Sequence, residues 1–304
     1  MRTVYLGTSD FAAGILRRLA DSRHRPQLVV TRPDRPAGRG RKLQSPPVAD
    51  AARELGIDLD QPDSVNAEEA RSRIAAARPD AVIVCAFGAL IKEPLLSDHE
   101  ILNVHPSLLP RWRGAAPVER AMMAGDRETG VAIMRLTAGL DSGPVCLLER
   151  EPISDRDTYG TLAARLEALG GDLLVRALEE HPPYVEQDED GVTYADKIGP
   201  DDRTLAPAVA DAATLDRVVR ALTPHIGARL PLADGSFLGV VSAVAVEDST
   251  TAAAPAAGAL VNGDGHLLLG AAGGTMLELE SVQPPGRRAM SAADYLRGHQ
   301  LPRA

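Results

Sequence analysis

Pro79-Asp80-Ala81-Val82-Ile83-Val84-Cys85 is the stretch that decides the fold. A turn signal leads into five consecutive apolar residues, rich in β-branching, with no polar alternation. Such a run predicts a strand buried on both faces, the habit of parallel sheets covered by helices. Upstream, residues 4–6 form a short apolar run ended by Gly7. Ser9 or Asp10 then caps a predicted helix carrying Phe11, Ile15, Leu16 and Leu19 at helical spacing. Leu28-Val29-Val30 reads as a second strand, and a helix is expected after Pro47, ending near Gly56. Downstream, Ile101-Leu102-Asn103-Val104 is another strand, 131–136 and 145–148 a hairpin-like extension, and 161–178 a periodic helix. Strands alternating with helices imply right-handed βαβ units and a mainly parallel sheet.

The texture changes after His181-Pro182-Pro183. Residues 184–207 are polar and read as a linker or surface excursion. Beyond 208 come one helical stretch (215–222) and short strands punctuated by Gly, Pro and Asp, the pattern of a small barrel or sandwich. Residues 250–257 are Ala-rich and predict a flexible loop. At about 150 residues per domain, a chain of 304 fits two domains.

Composition narrows the function. With 44% hydrophobic and 25% charged residues the chain is an ordinary globular protein. No apolar run approaches the roughly 20 residues of a membrane span, and the N-terminal run is too short for a signal peptide. Two cysteines, Cys85 and Cys146, make no disulfide framework. A cytoplasmic location is expected. A net charge of −9 argues against a nucleic-acid coater, and 3% aromatics against a base-stacking platform. The seven histidines show no close ligand pairing, so no metal site is expected. The turn at Leu6-Gly7-Thr8-Ser9-Asp10 lacks the G-x-G-x-x-G spacing, so no NAD site is expected either.

Three motifs remain. Residues 31–42 carry five positive charges and one negative, among Pro and Gly that oppose regular helix or strand. They form either a solvated loop or a local attractor for phosphates. The stretch 103–117 begins where a core strand should end, the place where open α/β sheets bind ligands. Asn103 and His105, two apart, share a side of the strand. They are either an ordinary hydrogen-bonded pair or an oxyanion donor beside a proton relay. Gly139-Leu140-Asp141-Ser142-Gly143-Pro144 is either a turn or the source of an acid that orients an imidazole and favours its charged form. Ser107 lacks a nucleophile elbow.

Together these residues resemble the folate-dependent formyltransferase family. Asn103-Val104-His105-Pro106-Ser107-Leu108-Leu109-Pro110, with Gly139-Leu140-Asp141-Ser142-Gly143 some thirty residues later, resembles the general pattern. Three segments resemble the tRNA-acting branch: Pro33-Asp34-Arg35-Pro36-Ala37-Gly38-Arg39-Gly40, Pro110-Arg111-Trp112-Arg113-Gly114-Ala115-Ala116-Pro117, and Gln283-Pro284-Pro285-Gly286-Arg287-Arg288-Ala289-Met290-Ser291. The likeness is weakest over 185–260.

The resemblance implies an α/β fold. A Rossmann-like, mainly parallel sheet with helices on both faces would be joined to a smaller β-rich, OB-like barrel domain. The implied boundaries are 1–184 for folate binding and formyl transfer, 185–207 for a linker and 208–304 for tRNA binding. It implies a formyl group moved from 10-formyltetrahydrofolate, as donating cosubstrate, to the methionine amino group of initiator Met-tRNA. The matching catalytic set is Asn103, His105 and Asp141. Ser107, Leu108, Leu109 and Pro110 match the folate-contacting segment. Arg35, Arg39, Arg41 and Lys42 match the insertion that approaches the tRNA acceptor end. Arg111 and Arg113 would add to this patch if nearby, and Arg287, Arg288, Arg297 and Arg303 form a second cluster. A monomer without metal, NAD, membrane or obligate protein partner is expected. The alternative is a formyltransferase acting on a small amine such as a sugar nucleotide.

Overall fold

The computed structural model describes residues 1–37, 42–246, 255–299 and 301. Counts of elements below refer to these. The chain forms two compact units. The first comprises residues 1–117, 128–152 and 163–196, and the second 118–127, 153–162 and 197–304.

The first unit opens with β1 (Thr3–Gly7), α1 (Asp10–Ala20), β2 (Pro26–Val30), β3 (Arg35–Ala37) and β4 (Lys42–Gln44). It continues with α2 (Pro47–Leu55), β5 (Asp58–Asp60), α3 (Glu68–Ala76), β6 (Ala81–Cys85), α4 (Leu95–Asp98), β7 (Ile101–His105) and β8 (Arg113–Gly114). The chain then forms α5 (Pro117–Ala124), β9 (Glu128–Arg135), β10 (Val145–Pro152), α6 (Tyr159–Glu180) and β11 (Tyr194–Ala195). Seven strands make one sheet in the order β10-β9-β7-β6-β1-β2-β5. The five from β5 to β7 are parallel, and β9 and β10 extend them antiparallel, as the hairpin expectation required. Every residue of β1, β6 and β7 is buried, the signature of a sheet covered on both faces.

Both covers are identifiable. On one face Val4, Leu6, Val82, Val84 and Ile101 join a core with Ile74 of α3 and Leu95 of α4. On the other, Gly170 of α6 comes so close that a Cβ there would lie 3.1 Å from Val104 and 3.2 Å from Ile15 of α1. The local signals act as read. Ser9 caps α1 by accepting from the Ala12 N–H, and α2 ends at Gly56 in the left-handed region (φ 66°).

One expectation needs correcting. The basic segment is not wholly irregular: β3 and β4 pair antiparallel, with Pro36 opposite Leu43. A two-stranded ribbon has only edge strands, so a proline without an N–H is tolerated there. Residues 38–41 and 247–254, the latter including most of the Ala-rich stretch 250–257, lie outside the described residues.

The second unit contributes α7 (Ala212–Leu222), β12 (Ala228–Pro231), β13 (Phe237–Val246), β14 (Leu260–Gly263), β15 (His266–Gly270), β16 (Met276–Gln283), β17 (Met290–Ser291) and α8 (Ala292–Gly298). Its six strands pair antiparallel in the order β12-β13-β16-β15-β14, with β17 on β16. Leu267, Leu269, Leu277 and Leu279, fully buried, share one core with Leu215, Val219 and Leu222 of α7.

Candidate active site

β7 delivers two polar side chains to its carboxyl end. Asn103 lies opposite Val84 on one side and Met134 on the other, and His105 opposite Ala132. Alternation places both on the same face of the sheet. They are only 7% and 4% exposed, which for polar groups demands partners.

The partner arrives from the loop between β9 and β10. Asp141 Oδ1 accepts from Asn103 Nδ2 at 3.3 Å. Its Oδ2 accepts the Gly114 N–H at 2.9 Å and lies 3.7 Å from His105 Nδ1, within ion-pair reach. Asp141 has φ 43°, in the left-handed region that Asp enters more readily than most residues bearing a Cβ. The three sequence-predicted residues therefore meet at one point.

The imidazole is oriented from its other side. His105 Nε2 lies 2.8 Å from the Trp112 carbonyl. A carbonyl only accepts, so Nε2 carries a proton in either charge state, and Nδ1 is the nitrogen left to exchange one.

The 112–114 backbone that supplies these contacts is itself held. Trp112 N–H donates to Thr193 Oγ1 at 2.9 Å, Arg113 N–H to the Thr193 carbonyl at 2.9 Å, and β8 pairs parallel with β11. Gln187 Nε2 donates to the carbonyls of Asp141 (2.8 Å) and Gly143 (2.7 Å), while its Oε1 accepts from Arg113 Nε at 3.0 Å. Sequence reading missed the role of the Gly114 N–H, and missed Gln187 and Thr193 altogether. Backbone donors leave no side-chain signal, and the other two sit in a polar stretch that reads as linker.

The segment after β7 folds back over the same face. Ser107 is fully buried and donates to the Arg111 carbonyl at 2.7 Å, closing the turn. Leu109 packs against Ala132 and Met134. Leu108 overlies Gly130, where a Cβ would come within 2.5 Å of its Cδ2. The side chains of Ser107 and Leu109 are thus committed inward. Half-buried Leu108 and Pro110, with the backbone, form the outward wall.

Of the basic candidates, Arg35 and Lys42 are exposed on the β3–β4 ribbon, and Arg39 and Arg41 lie outside the described residues. Arg113 is not a surface cation: it is 4% exposed, and its guanidinium meets Gln187 and Glu189. Arg111 lies over the Trp112 ring, 4.4 Å from its centre. Arg287, Arg288 and Arg297 are exposed in the second unit, and Arg303 lies outside the described residues.

Cys85, at the end of β6, is fully buried, and burial pushes its thiol up to about 12, so it offers no thiolate near neutral pH. Among the described residues no group of His, Cys, Asp and Glu is arranged to hold a metal, and no helix is long and apolar enough to cross a membrane.

Comparison with known proteins agrees with this architecture. Residues 1–178 match the formyl transferase family model, and 198–300 match the formyl transferase C-terminal domain. The methionyl-tRNA formyltransferase of Gluconobacter oxydans is 42% identical over 306 residues, covering 100% of this chain and 98% of its own. Among solved structures, methionyl-tRNA formyltransferase from Clostridium thermocellum matches 83% of this chain and 95% of its own at 13% identity, with a TM-score of 0.60. HypX from Aquifex aeolicus, solved with tetrahydrofolic acid, matches 97% of this chain but only 47% of its own, at 17% identity and a TM-score of 0.66.

Proposed function

This chain belongs to the methionyl-tRNA formyltransferase family, and on that premise we propose that it transfers the formyl group of 10-formyltetrahydrofolate to the α-amino group of initiator Met-tRNA. The observation that carries the chemistry is the meeting of Asn103, His105 and Asp141 at the end of β7.

The neutral amine attacks the formyl carbon, and a C–N bond forms. Negative charge grows on the formyl oxygen. Asn103 has two amide N–H groups; one meets Asp141, and the second stabilises the oxyanion together with Nδ1–H of protonated His105. Asp141 steadies the cationic ring. Collapse breaks the bond to folate N10, which takes up a proton as the amine loses one. His105, Asp141 or a water carries that proton. No covalent enzyme intermediate is needed.

In this reading residues 1–184 bind folate and perform the transfer, with Leu108, Pro110 and the backbone of 107–110 contacting the donor. Residues 185–207, of which 185–196 fold with the first unit, connect to 208–304, which contact tRNA. Arg35, Arg39, Arg41 and Lys42 meet the acceptor end, which reconciles phosphate recognition with a net charge of −9. The enzyme acts as a cytoplasmic monomer.

The test is a formylation assay with initiator Met-tRNA, elongator Met-tRNA and an amino-sugar nucleotide side by side. Turnover with initiator tRNA above elongator, and none with the sugar nucleotide, is expected. The reverse ranking would replace tRNA with a small amine as substrate.

A further inference from the structure

We propose that Gln187 is a positioning residue for this reaction, holding the Asp141 loop so that its carboxylate stays turned toward Asn103 and His105. The inference rests on the catalytic reading of Asp141 given above.

Asp141 sits in the left-handed region at φ 43°, at the tip of a loop whose backbone carbonyls are free to be held by a side chain. Gln187 holds two of them with one nitrogen. Its amide carries two N–H groups, and two carbonyls receive them, those of Asp141 at 2.8 Å and Gly143 at 2.7 Å. The acceptors flank Ser142, so the loop is gripped on both sides of its tip.

The other end of the amide completes a circuit. Oε1 accepts from Arg113 Nε at 3.0 Å. Arg113 stands between the two backbone groups that touch the catalytic pair, the Trp112 carbonyl on His105 and the Gly114 N–H on Asp141. One side chain therefore ties the acid's loop to the segment that orients the imidazole.

The chemistry of the position specifies glutamine. It must donate twice and accept once. Glutamate would turn negative oxygen toward two carbonyls, and leucine would leave all three groups without this partner. Gln187 is half-buried between exposed neighbours, Glu186 and Asp188. It is the residue there that turns inward.

The experiment uses the full chain with Gln187→Leu and Gln187→Glu, each in the wild-type and Asp141→Asn backgrounds. Single-turnover formyl transfer is measured with 10-formyltetrahydrofolate and initiator Met-tRNA, alongside KM for both substrates. Misplacement of a reacting group by about 1 Å can cost about 100-fold. A loss of about 10- to 100-fold in kcat is expected, with both KM values within about twofold. In the Asp141→Asn background the same substitution should cost less than about twofold, because the group it positions is already gone. Thermal melting identifies the variants that fold. If Gln187→Leu does not, Gln187→Glu is read in the same way. A folded variant with wild-type kcat, or an equal loss in both backgrounds, overturns the proposal. Near-normal turnover by Asp141→Asn alone instead overturns the catalytic reading beneath it.

Discussion

The polar end of the first unit and the apolar interior of the second bury their side chains by opposite rules. At the end of β7, Asn103, His105 and Asp141 are bound to one another and to backbone at 112–114. In the second unit Leu267, Leu269, Leu277 and Leu279 are buried as deeply, with no polar atom to satisfy. Polar burial costs free energy unless every group finds a partner, and it is repaid here in geometry. Apolar burial is repaid directly in stability, by about 25 cal/mol for each Å² removed from water. Substitutions should therefore separate by region, into those that stop turnover and those that lower the melting point.

The sharpest separation is expected at Asn103. Asn103→Ala should lower kcat by about 10²–10³ while folate binding, followed by equilibrium titration, survives. Near-normal turnover would break the comparison at its polar end. Leu277→Ala tests the other end. A fully buried leucine truncated to alanine costs about 2–5 kcal/mol, read as a shift in the urea midpoint. A shift of less than about 1 kcal/mol would mean that this core collapses around the loss.

Smaller effects belong to the surface. Replacing Arg35 and Lys42 by alanine should raise the tRNA KM and reduce its salt slope by about one per lost phosphate contact, leaving folate KM near wild type. Equal loss of both affinities would make the ribbon structural. The least effect is expected at His266, which is largely exposed and pairs with Glu278 on β16. A hydrogen bond and the charge of Glu278 raise its pKa. The pair therefore stabilises the fold fully below about pH 6.5 and loses that contribution as pH rises through the raised value. Glu278→Gln should return the imidazole titration, followed by NMR, toward the ordinary range, with little change in melting point. An unchanged titration would assign the shift elsewhere.

Much of the fold was legible in one dimension because local chemistry and tertiary context agree. The apolar run 81–85 has nowhere to go but the middle of a sheet. Ser9, Pro47 and Gly56 mark helix ends through groups that act within a few residues. The ribbon at 35–44 escaped the sequence reading because two short strands only a few residues apart can pair at an edge, where a proline's missing N–H breaks no ladder. Arg113 was misread for a related reason. A charge run carries no sign of which member is turned inward to meet Gln187.

The amino-acid sequence alone determined the alternation of strands and helices and the β-rich C-terminal part, since each depends on residue type at short spacing, while its resemblance to the formyltransferases pointed to Asn103, His105 and Asp141. Only the tertiary structure decided that these side chains meet within 3.7 Å, that Trp112 and Gly114 steer them through backbone atoms, and that Gln187 joins them from a polar stretch far along the chain. Backbone groups are the same at every residue. What a carbonyl or an N–H can do is set by where the fold carries it.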